Sequence, residues 1–375
     1  MTAQNNSFIN PSTAWGTALE AAVCERCDHR FLIPAGNHPV ICPSCFRGML
    51  TRQPETEINV QPELVLPFRV QEQTILQAFS RFTADLWFAP EDLTPVNLRG
   101  RLQRVYQPVW LVDGKIHSLW QAEAGYNYEV VSHQNRYEDY GGGWTEKKVK
   151  ENRVRWEPRV GRLQRVYQNI AAPALEQPHA LFQKVGQYPY NAAQQYTVQA
   201  LTGSSESGAV SQPVVVSMPW AVSLPEREPQ DAWPDALPVF QAAAAEDCRQ
   251  ACAADHLREF KWQPEFQAKN WTLLLLPLLT SYYVDDEKNP QVVLMHGQTG
   301  KLFGVRRASK QSAQKTAVWL GVFSVLLFVL SLAGSAFSLL APILLPLVAI
   351  GWLMAIGLGV GAVVPFLMVW WTNSR

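Results

Sequence analysis

From Ala317 to Trp371 the chain runs for 55 residues without one Asp, Glu, Lys or Arg. A helix needs about 20 apolar residues to cross a hydrocarbon core, so this length accommodates two spans with a tight connection but hardly three. Gly334-Ser335 and the stretch from Pro342 to Pro346 are the two places where a break fits. Prolines disfavour continuous helix more strongly, which predicts spans at about 317–339 and 343–371 within a membrane domain at 312–375. Trp319 at one end and Trp370 with Trp371 at the other suit the headgroup level of a bilayer. Arg306, Arg307, Lys310 and Lys315 precede the first span and Arg375 follows the second, so the positive-inside rule places both ends in the cytoplasm. The expected arrangement is a transmembrane helical hairpin in the cell (inner) membrane, multi-pass, with the lipid bilayer as its partner. With no charge at membrane depth, an ion or proton pathway has no residues to run on.

The remainder reads as water-soluble, and its 32 Lys plus Arg balance 32 Asp plus Glu over the whole chain. The polar start has neither a basic opening nor an apolar run, so no secretory signal is expected and residues 1–20 read as a disordered tail. Four of the six cysteines form two Cys-x-x-Cys pairs, Cys24 with Cys27 and Cys42 with Cys45, separated by 14 residues. In a reducing compartment that spacing favours a metal over disulfides, with two knuckles presenting four thiolates to one tetrahedral ion. Zn2+ suits four soft sulfur ligands, and a segment of about 30 residues is too small to fold on a core of its own. One structural zinc in a ribbon at 21–52 is therefore expected, and a closed four-cysteine site leaves no open position for catalysis. Arg26, Arg30, Arg47 and Arg52 against Glu25 and Asp28 make too weak a basic excess for a surface that tracks phosphates.

A proline-rich linker at 53–67 leads to a cytoplasmic α+β domain at 68–311. Ile75, Leu76, Phe79, Phe82, Leu86 and Trp87 fall at helical spacing over 72–88. The octapeptide Gly100-Arg101-Leu102-Gln103-Arg104-Val105-Tyr106-Gln107 recurs unchanged as Gly161 to Gln168, which predicts two related strands in an antiparallel sheet. Between them, Lys147 to Arg165 carries eight basic residues against Glu146, Glu151 and Glu157. A solvated strand face accounts for this run, with contact to lipid headgroups or nucleic acid as the functional alternative. Residues 202–238 are rich in Gly, Ser and Pro and read as an extended loop. An alanine-rich helix is expected at 239–260, placing Cys248, Cys252 and His256 at i, i+4 and i+8 along one stripe; such a stripe wraps poorly around one ion, so a packed face is favoured over a second metal site. Trp271 to Leu279 reads as a buried strand, followed by an acidic turn at Asp285-Asp286-Glu287 and a strand at 292–295. Gly297-Gln298-Thr299-Gly300-Lys301 lacks the first Gly and the final Ser or Thr of a phosphate loop and opens a strand, so a β-hairpin turn is expected. Neither a small-molecule substrate nor catalytic residues are evident, and an enzyme is not expected.

The order of ribbon, Leu66-Pro67-Phe68, Val105-Tyr106-Gln107-Pro108-Val109-Trp110, Leu275-Leu276-Pro277-Leu278, Gly297-Gln298-Thr299-Gly300-Lys301 and terminal apolar spans resembles an uncharacterised bacterial family of zinc-ribbon membrane proteins. Its members often carry labels such as primosomal-protein-N-prime-like or transcription-factor-IIB-type zinc ribbon. The family pattern tends to show a Trp in the Leu-Pro strand where this chain has Leu278 or Leu279. The resemblance implies a ribbon held at the cytoplasmic membrane face and a link with envelope stress through phage-shock-protein-A-like partners, and it carries no catalytic residue. The expected function is a non-enzymatic scaffold or recruiter with a membrane-associated protein partner; a membrane-tethered nucleic-acid-binding protein is the alternative.

Overall fold

The computed structural model describes residues 19–53, 61–84, 86–138, 143–176, 187–197, 201, 218–338 and 345–374. Residues 1–18 of the tail expected at 1–20, residues 202–217 of the Gly/Ser/Pro stretch expected at 202–238 and the connection at 339–344 lie outside them, while Leu19 and Glu20 belong to a strand. The architecture is mixed α+β with a large sheet. It resolves into two units, one comprising 1–107, 177–224 and 275–375 and the other 108–176 and 225–274. The single body expected at 68–311 is thus distributed over both.

In the first unit, β1 (Leu19–Cys24) pairs antiparallel with β2 (Arg30–Pro34) and β3 (Leu50–Arg52). A short β4 (Leu64–Val65) follows and pairs with β7 (Gln194–Gln195). Helix α1 (Glu72–Ala84) buries Ile75 and Phe79, as its apolar spacing requires; it ends before Leu86 and Trp87, which the expected helix included. Thr94 caps α2 (Pro95–Gly100), accepting a hydrogen bond from the Asn97 amide, and Pro95 occupies a first-turn position where its missing N–H costs nothing. The chain then enters β5 (Gln103–Glu138), whose first residues run parallel to β8 (Trp220–Ser223). β8 in turn pairs with β2 through Phe31↔Ser223 and Leu32↔Val222.

The second unit holds the rest of β5 against β6 (Gly143–Pro173) in continuous antiparallel register from Val109↔Pro173 to Glu138↔Gly143, with one irregularity at Val112–Gly114. Helix α3 (Pro229–Ala251) buries Ala232, Ala236, Phe240, Ala244 and Cys248 at four-residue spacing. This corrects the expected loop at 202–238, which over its last residues is a strand and a helix. Pro229 stands in the first turn, while Pro234 and Pro238 lie on the exposed face of the helix. The expected helix at 239–260 is corrected at its other end too. Ala253 takes φ 49°, the Ala254 amide bonds back to Arg249, and His256 already begins β9 (His256–Val284).

β9 returns the chain to the first unit from Leu275 on, and along it Leu273 to Leu276, Leu278 and Leu279 are all buried as expected. β10 (Pro290–His296) and β11 (Leu302–Gly304) form the expected hairpin around Gly297–Lys301. Helices α4 (Lys310–Ser338), α5 (Leu345–Gly361) and α6 (Val364–Asn373) complete the unit. Two stretches, Lys310–Ala336 and Pro346–Asn373, are long and apolar enough to cross a membrane, with only 11 % and 6 % of their most apolar windows buried. Gly334-Ser335 lies inside α4, so the helix does not break there. A break the sequence reading did not place falls at Ala362–Val363, just before Pro365, whose ring excludes a regular continuation.

α4 and α5 meet along a seam of small residues. Gly351 packs on Ser331 and Gly359 on Ser324, and the Ser324 hydroxyl donates to the carbonyl of buried Ala355 at 2.7 Å. Gly351, Ala355 and Gly359 repeat at four-residue intervals, the spacing that lets helix backbones approach closely. Both ends of the helical pair are tied to the sheet unit. Asp286 accepts from the Gln311 amide and the Ser309 hydroxyl, each at 3.0 Å, placing a carboxylate at the N-terminus of α4. Asn373 exchanges two hydrogen bonds with the backbone of Ala308, at 2.8 and 3.1 Å.

Candidate metal centre

The two Cys-x-x-Cys turns are built alike. In each, the amide of the residue after the second cysteine bonds back to the carbonyl of the first, Asp28 to Cys24 at 3.1 Å and Phe46 to Cys42 at 3.0 Å. That residue adopts a left-handed conformation in both, Asp28 at φ 55° and Phe46 at φ 52°. The amide two residues after each first cysteine points at its sulfur, Arg26 to Cys24 Sγ and Ser44 to Cys42 Sγ, both at 3.4 Å. One turn leaves β1 and the other precedes β3, so the pairing of those strands brings the turns face to face.

All four sulfurs lie within 4.8 Å of one another. Cys24 Sγ to Cys45 Sγ and Cys27 Sγ to Cys42 Sγ are each 3.7 Å. A tetrahedral ion with bonds of about 2.3 Å sets sulfur–sulfur edges of about 3.8 Å, so the cluster has the dimensions of a four-thiolate metal site. Gly48 makes the approach of the turns possible, since a Cβ there would stand 2.5 Å from Cys24 Sγ and 2.9 Å from Arg26 Cβ. The sequence reading did not single out this glycine.

Burial pushes the Cys27 thiol up to about 12 and raises Cys42 as well. At Cys45 burial acts in the same direction, but the amides of Arg47 and Gly48 and the neighbouring thiols outweigh it and lower the value. Four mutually close sulfurs, with Cys24 and Cys42 buried, resist becoming anions together, and a divalent cation supplies the positive charge that lets them do so.

The segment expected to form a ribbon at 21–52 has more support than its length suggests. Phe31 and Ile33 pack with Cys24, Cys42, Val105 and Ala221, while Leu32 packs with Tyr106, Trp220 and Leu275. Full burial of side chains such as Phe31, Leu32 and Ile33 contributes about 1.5–3 kcal/mol each. The expectation that metal takes the place of a core is corrected in that respect: β1 and β2 share the core of the first unit, which Cys24 and Cys42 join.

Cys248, Cys252 and His256 do not form a comparable group. Cys248 is buried in α3, Cys252 ends the helix, and His256, exposed, bonds Asn127 Oδ1 at 3.0 Å. The basic stretch is largely neutralised in place: Lys150, Arg153, Arg155, Arg159 and Arg165 pair with Glu129, Glu151, Glu157, Glu157 and Asp247. On the ribbon itself, Arg52 pairs with Glu20 and Arg47 donates to Asn289. The turn side instead exposes Val40 and Met49, 60 % and 57 % accessible, with Ile41 bridged to Met49.

Compared with family models, with curated proteins and with solved structures, the chain matches none.

Proposed function

We propose that this protein is a non-enzymatic, membrane-anchored zinc-ribbon scaffold that recruits a membrane-associated protein at the cytoplasmic face. One observation carries the choice of a protein partner. The ribbon presents Val40, Ile41 and Met49 together at its surface, while Arg47 and Arg52 are engaged with neighbours. An apolar patch of this kind suits a protein surface, whereas a duplex or single strand calls for unpaired cations and stacking faces.

Zinc is the ion that fits best, because four thiolates at tetrahedral spacing are soft ligands that leave no open coordination position. Such a site braces a surface and offers a substrate no place to bind. Membrane anchorage is supported by the two long apolar helices, few of whose side chains are buried and whose exposed residues include Trp319, Trp370 and Trp371 near their ends. Both ends of the pair are tied to the sheet unit, which agrees with a hairpin whose termini face the same side. The resemblance to bacterial zinc-ribbon membrane proteins points the same way and adds envelope stress as the setting.

The test is crosslinking of the tagged full chain in its own cells, followed by detergent solubilisation and identification of what copurifies. A defined set of membrane-associated proteins, resistant to nuclease and lost in the M49D variant, supports the scaffold. Nuclease-sensitive DNA or RNA, unaffected by M49D and lost in C24S, replaces it with the nucleic-acid reading.

A further inference from the structure

We propose that a cleft in the first unit, shortly before α4 in the chain, binds a phosphate-bearing anion, and that the anion is the headgroup of an acidic phospholipid. The lipid assignment rests on the membrane placement of α4 to α6 put forward above. The cleft, about 500 Å³, lies between α1 and the β10–β11 hairpin and is lined by Arg81, Phe82, Lys301, Phe303 and Arg306, with no carboxylate among its lining residues.

Its cations differ from their neighbours in the company they keep. Around the start of α4, Arg307 pairs with Asp285 at 3.5 Å, Lys310 with Glu287 at 3.5 Å and Lys315 with Glu91 at 2.8 Å. Arg81, Lys301 and Arg306 form no ion pair among the described residues, although all three are exposed. Three like charges converging on one cleft repel one another, and an anion reverses the sign of that interaction. Two guanidinium forks and one ammonium suit the tetrahedral oxygens of a phosphate. The aromatic rings hold the cations in place: Lys301 Nζ lies 4.8 Å from the Phe303 ring and the Arg306 guanidinium 5.8 Å from Phe82. The same rings give the cleft an apolar wall, which a lipid has use for and an inorganic ion does not.

Gly-x-x-Gly-Lys contributes its side chain here and none of the backbone of a phosphate loop. The amides of Gln298 and Thr299 donate to His296 Nδ1, that of Gly300 to the His296 carbonyl and that of Lys301 to the Thr299 hydroxyl. Gly300, at φ 70° and pressed against Thr74, is the residue that allows this inward-turned loop. Lys301 is thereby delivered to the cleft. Position selects the lipid source: Arg306 stands four residues before α4 begins, at most about 14 Å of chain, and the uncharged run starts two helical turns further on at Ala317, about 10 Å along the axis. A basic cluster so close to an apolar helix lies within reach of headgroups in a bilayer that the helix crosses.

The experiment uses the full chain in nanodiscs of equal phosphatidylglycerol and phosphatidylcholine, released and weighed by native mass spectrometry with retained lipid. We expect phosphatidylglycerol to be retained in preference to phosphatidylcholine by about tenfold or more, and the preference to vanish in the R81Q/K301Q/R306Q variant. Millimolar inorganic phosphate should not displace the lipid. Equal preference in wild type and variant overturns the proposal; displacement by phosphate without lipid preference assigns the cleft to a free anion and overturns the lipid source. Metal content reports whether the triple variant is folded, and K301Q alone, expected to weaken the preference, serves if it is not. A chain that leaves membranes on alkaline carbonate washing overturns the anchorage itself, whereas one that stays but shows no effect of the triple variant overturns only the cleft.

Discussion

Two groups of cysteines stand in this chain, and only one of them converges. Cys24, Cys27, Cys42 and Cys45 come from two turns that strand pairing sets face to face, and their sulfurs close to within 4.8 Å of one another. Cys248 and Cys252 sit one turn apart on a single helix that ends between them and His256. Four ligands surround an ion when separate backbone segments approach it from opposite sides; one element delivers them in a row. In this chain the spacing that marks a metal site is the one in which two turns from separate strands supply the ligands.

The largest effect that would sharpen this contrast comes from removing the converging group. Replacing Cys24 and Cys42 by Ser should abolish stoichiometric metal, a loss of apparent binding free energy of order 10 kcal/mol. The consequence should be local. Hydrogen exchange should show the Asp28 and Phe46 amides losing protection while Phe31 to Ile33 keep theirs, because that strand is held by the core of the first unit. Collapse of the whole unit would show that the metal, and not the shared core, holds the ribbon.

Acidity comes next. In the metal-bound state the four sulfurs carry no protons, whereas in an unfolded chain each thiol keeps its proton up to about pH 8.5. The unfolded state therefore binds more protons, and the stability that the metal confers rises with pH and is lost as pH falls. Chelator competition at several pH values should show weaker retention at lower pH. A flat profile would mean that the ligands are not thiolates.

Gly48→Ala should follow, because its Cβ would fall 2.5 Å from Cys24 Sγ. Neighbours that position a ligand are typically worth about 10–100-fold in metal affinity, and competition with a colorimetric chelator measures that range. The smallest effect belongs to the other cysteine group. Cys252→Ser should leave metal content unchanged, and Cys248→Ser should cost only about 1 kcal/mol, the order expected for a hydroxyl in a buried site. Loss of bound metal from either variant would break the contrast.

Much of this site was legible beforehand. The two Cys-x-x-Cys turns announce their ligands, and the uncharged run announces two apolar helices, because both signals rest on local chemistry. Other features depend on neighbours that sequence does not display. The repeated octapeptide is the clearest case: Arg104 and Tyr106 are buried in the first copy, whereas in the second Arg165 and Tyr167 reach a shared carboxylate, Asp247. From Gln103 and Gln164 onward identical residues form strand in both copies, yet what covers them differs. The end of α3 was hidden for another reason, since Ala253 takes the left-handed position that usually announces itself as Gly. Pro234 and Pro238 read as loop markers because their tolerance depends on which helix face meets water. Gly48 could have been noticed as a small residue three positions after Cys45, but only the opposing turn reveals what it makes room for.

The account stands most directly on the metal content of the full chain, purified without added metal and measured by elemental analysis beside the Cys24→Ser, Cys42→Ser double variant. It predicts one zinc per wild-type chain and none in the variant; a wild type free of zinc, or a variant that keeps a full equivalent, would contradict it.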